Sequence, residues 1–161
     1  MTSNDSSQIL IALGANMPSR AGPPAQTLKA ALAALGDAGV GVLKVSSFLQ
    51  TEAWPDPGDP PFTNAVAAVQ TSLQPVALLE LLHTVETAFG RVRSRPNAPR
   101  TLDLDLLAHG GTIAGGQGLE LPHPRLAERR FVLEPLAQIV PHWRHPVTGL
   151  TPDEMLDRLA D

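Results

Sequence analysis

The chain has 161 residues, which is enough for one domain with its own hydrophobic core and short for two, so we expect residues 1–161 to form a single domain. It contains no cysteine, which excludes disulfides and thiolate metal sites. A net charge of −4 with 4% aromatic residues does not suit a nucleic-acid-binding surface. The first residues, MTSNDSSQILIALG, contain neither a basic stretch nor a long apolar run, which predicts no membrane segment and a cytoplasmic protein.

The first half of the chain predicts three strands and one helix. Residues 8–13 form a short apolar run, which predicts a buried strand that ends in a tight turn at Gly14. Residues 25–35 carry apolar side chains at helical spacing, with Gly36 as the stop. Residues 40–50 and 64–71 are rich in β-branched and apolar side chains and predict two strands, separated by the proline-rich loop TEAWPDPGDPPF.

The second half predicts a helix, a strand and two further helices. Residues 74–90 predict a helix that has Pro75 in its first turn and ends at Gly90. The leucine-rich segment 102–107 predicts a strand, and the glycine-rich connector HGGTIAGGQG predicts a small hairpin or open loop. Residues 131–139 and 152–159 predict the last two helices.

The order of these elements predicts the fold class. Strand, helix, strand, strand, helix, strand is the α+β, ferredoxin-like βαββαβ sandwich, an antiparallel sheet with its helices on one face, here followed by C-terminal helical additions. We expect the first and fourth strands to be the inner ones. Gly14 and Asp105 would then lie close together on adjacent strands, and their loops could form one cleft.

The segment RVRSRPNAPRTLDLDLL, residues 91–107, concentrates the chemistry of the chain. Seven of the twelve Lys and Arg residues lie between Arg91 and Arg130. Asp103 and Asp105 are two residues apart on a predicted strand, so they share one face with Cα atoms roughly 6 to 7 Å apart. Two such carboxylates repel unless a cation lies between them, and Mg²⁺ favours these oxygen ligands. With arginines nearby, the pattern indicates a metal-bridged phosphate chain, although a solvated, salt-bridged surface is the alternative.

Several longer motifs carry a resemblance to a known family. The segments IALGAN, SSFLQTEAW, PPFTNAV, GRVRSRPNAPRTLDLDLL and LPHPRLAERRFVLEPL occur in this order along nearly the whole chain. In these segments the chain resembles the 6-hydroxymethyl-7,8-dihydropterin pyrophosphokinases of folate synthesis. The resemblance implies a transferase that uses ATP and two Mg²⁺, transfers pyrophosphate to the pterin hydroxymethyl group and releases AMP. It also implies small-molecule substrates and a monomer, with no nucleic-acid or membrane partner.

The resemblance also implies roles for individual residues. Those matching the catalytic groups of the family are Arg91, Arg93, Arg100, Asp103, Asp105 and Arg129, of which Asp103 and Asp105 match the metal ligands. The positions that match the nucleotide site are Leu79, His83, Arg91, Arg100, Thr101, Leu106, His123 and Arg129. Those that match the pterin site are Thr51, Phe62, Asn64 and Phe131, where two phenyl rings can enclose a flat heterocycle and Asn64 can pair with its edge.

The chain departs from the pattern of the family at three positions. Asn97 replaces a tryptophan, Gly118 an arginine and Pro124 an aromatic residue found in many or some members. Two other functions remain open at this point: a regulatory module that binds metal and nucleotide on the same fold, and a two-metal phosphodiesterase. The phosphodiesterase gives no reason for the pocket of Phe62, Asn64 and Phe131, and turnover would separate the module from the enzyme.

Overall fold

The computed structural model describes residues 8–51, 58, 60–90, 101–116 and 118–159. Its strands are β1 (Ile9–Ala15), β2 (Gly41–Val45), β3 (Leu49–Thr51), β4 (Phe62–Gln70) and β5 (Asp103–His109). Its helices are α1 (Pro24–Asp37), α2 (Pro75–Ala88), α3 (Arg130–Ile139) and α4 (Pro152–Leu159), with a short 3-10 helix at Leu126–Glu128. None of the helices in these ranges has the length and apolar character needed to cross a bilayer.

The strands form one antiparallel sheet in the order β2-β4-β1-β5, and the short β3 also pairs with β4. This confirms the α+β class but corrects the predicted strand order. The inner strands are β1 and β4, whereas the fourth predicted strand, β5, is outermost and pairs with β1. The expected adjacency of β1 and β5 holds, with Gly14 opposite Asp103 and Ala12 opposite Asp105.

Helices cover both faces of the sheet. Leu28 of α1 and Leu82 of α2 belong to one buried cluster, together with inward-facing residues of β1, β4 and β5. Leu133 of α3 and Met155 of α4 belong to a second cluster on the opposite face. The prediction of helices on one face is therefore correct only for α1 and α2. Residues Thr63–Val69 of β4 are all buried because this strand has helices above and below it.

The predicted strand over residues 40–50 is two strands in the structure. The backbone of Ser46 donates to Val66 O at 2.9 Å, and its side-chain Oγ accepts from Val66 N at 3.0 Å. Ser47 N then donates to the side chain of Gln138 on α3. Serine side chains that bond to the backbone interrupt a regular ladder, which explains the break between β2 and β3.

Two predicted glycine boundaries are also displaced. Gly14 lies within β1, which continues to Ala15, so the expected tight turn at Gly14 was wrong. Gly36 lies within α1, and the left-handed residue that follows the helix is Gly39, with φ of +94°. The boundary at Gly90 agrees with the prediction, since α2 ends at Ala88 and Gly90 has φ of +88°. In the glycine-rich connector, backbone hydrogen bonds between Ala114 and Leu121 close the loop.

Candidate functional site

The site forms where one end of the sheet meets the start of α3. Because β1 is antiparallel to both β4 and β5, its last residues lie beside the first residues of those two strands. Asn64 and Asp103 thus flank Gly14 from opposite sides. Arg129 and Phe131, at the start of α3, reach the same end of the sheet. The antiparallel topology therefore brings together residues that lie far apart in the chain, from Gly14 to Phe131.

Two cavities meet at this end of the sheet. The first, which we call the aromatic slot, has a volume of about 370 Å³ and is lined mainly by β1, the end of β3, β4 and the start of α3. Its lining includes Thr51, Phe62, Asn64 and Phe131. The second, which we call the polar cavity, has a volume of about 350 Å³ and lies between α2, β5 and residues 118–124. The residues that line both are Asp103, Asp105 and Arg129.

The carboxylates of Asp103 and Asp105 lie on the same face of β5, as the sequence predicts. The intervening Leu104 is buried in the opposite direction, in the cluster beneath α1 and α2. Arg129 Nη1 lies 3.9 Å from Asp105 Oδ2, and both side chains are about 30% exposed. An ion pair of this length and exposure contributes little to stability. The carboxylates therefore lie at the common wall of two cavities, and the salt-bridge alternative alone does not explain that location.

The described carboxylates fit the way in which Mg²⁺ is bound. Within the part of the chain that the structure describes, no three His, Cys, Asp or Glu side chains are grouped so that they could hold a metal ion. Mg²⁺ does not need such a cage, since it commonly takes one or two protein carboxylates and completes its shell with water and substrate phosphates. Asp103 and Asp105 supply two hard oxygen donors beside a polar cavity. These two residues would hold the metal.

The aromatic slot contains all four residues predicted for the pterin. Phe62 and Phe131 are partly buried, and the Arg129 guanidinium lies 5.6 Å from the centroid of the Phe131 ring. Asn64 is 8% exposed, and its Nδ2 donates to Thr51 Oγ1 at 2.9 Å. Flat apolar surfaces with one oriented amide are suited to a flat heterocycle with polar edges.

Gly14 is a component of the slot that the sequence analysis did not assign to it. A Cβ atom at this position would lie 2.9 Å from Asn64 Oδ1 and 3.8 Å from the Phe62 ring. Real Cβ atoms do not approach neighbours as closely as 2.9 Å, so any larger residue would displace the amide. A glycine inside an apolar strand often marks a close approach of this kind, and this was the available signal.

The polar cavity contains most of the described residues predicted for the nucleotide. The predicted residues that line this cavity are Leu79, His83, Leu106, His123 and Arg129. Thr101 lines neither cavity; its Oγ1 is buried without a hydrogen-bond partner among the described residues. Gly118 and Pro124, two of the departures from the family pattern, also line this cavity. The predicted site residues Arg91, Arg93 and Arg100, and the departure at Asn97, lie outside the described residues.

His123 is neutral at physiological pH. Burial lowers the pKa of its imidazole to about 4, with additional lowering by the nearby charges of Arg129 and Arg125 that outweighs the opposing effect of Asp103. The backbone N–H of Arg125 donates to His123 Nδ1 at 3.1 Å, so the ring hydrogen is assigned to Nε2. His123 can therefore offer the polar cavity a hydrogen-bond donor, but it does not bring a positive charge.

Comparisons with known proteins show which family the chain is similar to. A family model described as 7,8-dihydro-6-hydroxymethylpterin-pyrophosphokinase (HPPK) matches residues 10–141. The 2-amino-4-hydroxy-6-hydroxymethyldihydropteridine pyrophosphokinase of Synechocystis sp. is 36% identical over 151 residues, which cover 93% of this chain and 75% of that protein. The protein of the same name from Bacillus subtilis is 38% identical over 145 residues, which cover 89% and 84%.

Longer relatives share the same region. The folic acid synthesis protein fol1 of Pneumocystis carinii is 36% identical over 157 residues, but the match spans only 21% of its length. The crystal structure of wild-type Plasmodium falciparum HPPK-DHPS superposes with a TM-score of 0.71 over 97% of this chain and 42% of that one. At 13% identity this likeness concerns the fold alone. From the family match and the similar pyrophosphokinases, we conclude that the chain belongs to the 7,8-dihydro-6-hydroxymethylpterin-pyrophosphokinase family.

Proposed function

We propose that this chain transfers the pyrophosphoryl group of ATP to the hydroxyl of 6-hydroxymethyl-7,8-dihydropterin, giving the pterin diphosphate and AMP, as a step of folate synthesis. The observation that carries the proposal is the shared wall of Asp103, Asp105 and Arg129 between the aromatic slot and the polar cavity. A reaction between a flat heterocycle and a polyphosphate needs two such sites that meet at charged groups.

In this proposal the pterin occupies the aromatic slot. Its rings lie between Phe62 and Phe131, and the amide of Asn64 pairs with its polar edge. Thr51 holds that amide through the 2.9 Å hydrogen bond. The hydroxymethyl group then extends toward the carboxylates of β5, which line the same cavity. The slot therefore supplies orientation, which is a large part of what phosphoryl transfer requires of a protein.

The nucleotide occupies the polar cavity, with its phosphates at the shared wall. Arg129 lines both cavities, so its guanidinium can contact the phosphates during transfer, and the Nε2–H of neutral His123 can donate to a phosphate oxygen. Arg91, Arg93 and Arg100 are proposed to supply further positive charge. Mg²⁺ held by Asp103 and Asp105 would neutralise phosphate charge and orient the phosphates of ATP for in-line transfer.

The transfer conserves atoms in a simple way. The pterin hydroxyl oxygen forms a bond to the β-phosphorus of ATP, and the bond from that phosphorus to the oxygen bridging the α-phosphorus breaks. AMP leaves with that oxygen, and the hydroxyl proton passes to water. The residues of the chain orient the two reactants and stabilise the charge on the transferred group, which are the main catalytic contributions in phosphoryl transfer.

The decisive test is AMP production. The purified chain, with Mg²⁺ and ATP, should release AMP only when 6-hydroxymethyl-7,8-dihydropterin is added. A matched control is 6-methyl-7,8-dihydropterin, which retains the heterocycle but lacks the attacking oxygen and should release none. Binding of ATP and pterin without AMP release would indicate a regulatory module instead. AMP release from ATP without any pterin would contradict the proposal and favour a hydrolase.

The proposal requires one copy of the chain, because both cavities are lined by elements between β1 and α3 of a single molecule. We accordingly propose that residues 1–161 act as one domain and as a monomer on small-molecule substrates, without a nucleic-acid or membrane partner. Light scattering coupled to gel filtration tests the oligomeric state. A dimer whose dissociation abolishes activity would contradict this part of the proposal.

A further inference from the structure

Glu86 forms a contact that has no role in the reaction as proposed above. It lies on α2, is 1% exposed, and its Oε2 accepts a hydrogen bond from Leu104 N at 2.7 Å. Leu104 is the residue between Asp103 and Asp105. A buried carboxylate is therefore bonded to the backbone at the centre of the metal-binding pair proposed above.

The position of β5 in the sheet explains why this contact matters. β5 is the outermost strand and pairs with β1 alone among the described strands, so a neighbouring strand fixes only one side of its backbone. Leu104 N–H is bonded instead to a helix. The distance of 2.7 Å lies at the short end of the range for an N–H donor, so the contact is a close one.

The same contact determines the direction of the neighbouring side chains. The N–H of Leu104 belongs to the peptide unit that joins Asp103 to Leu104, so its orientation fixes the backbone from which the Asp103 side chain extends. Asp105 follows Leu104 directly on the same strand, and its side chain lies on the same face as that of Asp103. The apolar side chain of Leu104 packs into the core beneath α2, which restricts movement of β5 perpendicular to the sheet. The Glu86 contact adds a constraint within the plane of the sheet, on the side of β5 where no other described strand pairs with it.

We propose that Glu86 is a positioning residue, whose hydrogen bond to Leu104 N holds the Asp103 and Asp105 carboxylates at the spacing that Mg²⁺ requires. The inference rests on the proposed function of the two aspartates as metal ligands. Replacement of a residue that orients metal ligands without touching the metal typically lowers metal affinity by about 10- to 100-fold. Glu86 also lines the polar cavity, beside the carboxylates that it holds.

Two conservative substitutions separate geometry from charge. Glu86→Gln keeps the length of the side chain and an acceptor oxygen but loses the charge. Glu86→Asp keeps the charge but withdraws the oxygen by about one C–C bond length, roughly 1.5 Å. If Glu86 acts by position, the Gln variant will bind metal better than the Asp variant. If the charge alone matters, the order will be reversed.

The measurement does not depend on turnover. Binding of Mn²⁺ in the presence of α,β-methylene-ATP, followed by electron paramagnetic resonance, reports the metal site directly. We expect Kd to rise about tenfold or more for Glu86→Asp and less than threefold for Glu86→Gln. Glu80→Ala, an exposed position on the same helix, is the matched control and should leave Kd unchanged. Amide hydrogen exchange at Leu104 should be faster in the Asp variant than in the Gln variant.

Several outcomes would overturn the inference. An unchanged Mn²⁺ Kd in Glu86→Asp, accompanied by a lower unfolding temperature, would make Glu86 a structural link between α2 and β5 only. Equal losses of Mn²⁺ affinity in the two variants would also contradict positioning by the hydrogen bond. Failure of the proposed function is distinguishable, because a wild-type chain that binds Mn²⁺ and the analogue but releases no AMP would leave the Glu86 result valid.

Discussion

Asn64 and Thr51 are joined by a hydrogen bond of 2.9 Å from Asn64 Nδ2 to Thr51 Oγ1. In the β3–β4 pair, Asn64 lies opposite Leu49 and Thr51 lies opposite Phe62, so the contact is a diagonal one on a single face. The bond directs the amide nitrogen toward β3 and leaves Oδ1 near Gly14. The orientation of this amide is therefore set by its neighbours before any ligand is present.

The first prediction concerns Asn64. Asn64→Ala should weaken pterin binding about 10-fold or more while ATP binding stays nearly unchanged, because an unpaired polar edge of a buried ligand costs about 1 to 3 kcal/mol. Thr51→Val should have a smaller effect in the same direction, since the amide remains but loses its partner. Calorimetric titration with each ligand measures both. Equal losses of affinity for ATP and pterin would mean that Asn64 is structural.

The second prediction concerns Gly14. Gly14→Ala should weaken pterin binding at least as much as Thr51→Val, because its Cβ would lie 2.9 Å from Asn64 Oδ1 and force the amide to move. Gly36→Ala is the control, since Gly36 lies in α1 with open space around its Cβ position. That change should raise the free energy of unfolding by about 0.5 to 1 kcal/mol. Unaltered pterin affinity in Gly14→Ala would show that the slot tolerates the methyl group.

The third prediction concerns the two aspartates. Asp103→Ala and Asp105→Ala should each abolish turnover and leave the protein folded, because removal of one carboxylate takes away a metal ligand while relieving repulsion between like charges. AMP formation across a Mg²⁺ titration and the unfolding temperature measure the two effects. Near-normal activity of either variant at low Mg²⁺ would exclude the pair as the metal site.

The fourth prediction ranks Arg129 below the aspartates. Arg129→Ala should lower kcat, but by several powers of ten less than loss of a metal ligand, because other arginines are proposed to share in neutralising the phosphates. Its guanidinium also lies over the Phe131 ring, so some loss of pterin affinity is expected as well. Rate measurements under saturating substrates separate the two effects. A larger loss of kcat than that in Asp105→Ala would reverse this ranking.

The fifth prediction concerns pH and His123. Its pKa in the folded protein, about 4, lies below the ordinary value of 6.5, so the unfolded chain binds more protons between these two values. The contribution to stability is complete above about pH 6.5 and is lost as the pH falls toward 4. His123→Asn, which retains an acceptor for Arg125 N, should therefore show a shallower loss of stability over this range.

Urea unfolding at a series of pH values between 4 and 7 measures this difference. Burial also lowers the pKa of His145, which contributes a slope of the same sign in both proteins and so cancels in the comparison. Parallel curves for the wild type and His123→Asn would contradict the lowered pKa of His123.

The sequence by itself determined the kinds of element and the chemistry of the segment that ends in Asp103 and Asp105. The apolar pattern located the four described α-helices within a few residues, since a helix that buries one face must repeat its apolar positions, but it did not predict the 3-10 helix at Leu126–Glu128. The alternation of leucine and aspartate placed both carboxylates on one face of β5, because strand geometry is local. The family motifs likewise identified Phe62, Asn64 and Phe131, which line a single slot in the structure.

Only the tertiary structure decided how these elements meet. Contacts between residues far apart in the chain place β5 at the edge of the sheet and cover the second face with α3 and α4. Such contacts also cause the break between β2 and β3. The closeness of Gly14 to Asn64 and the bond from Glu86 to Leu104 depend on distances across strands and between a helix and a strand. Local patterns carry no such distances, because they follow from packing of the whole core.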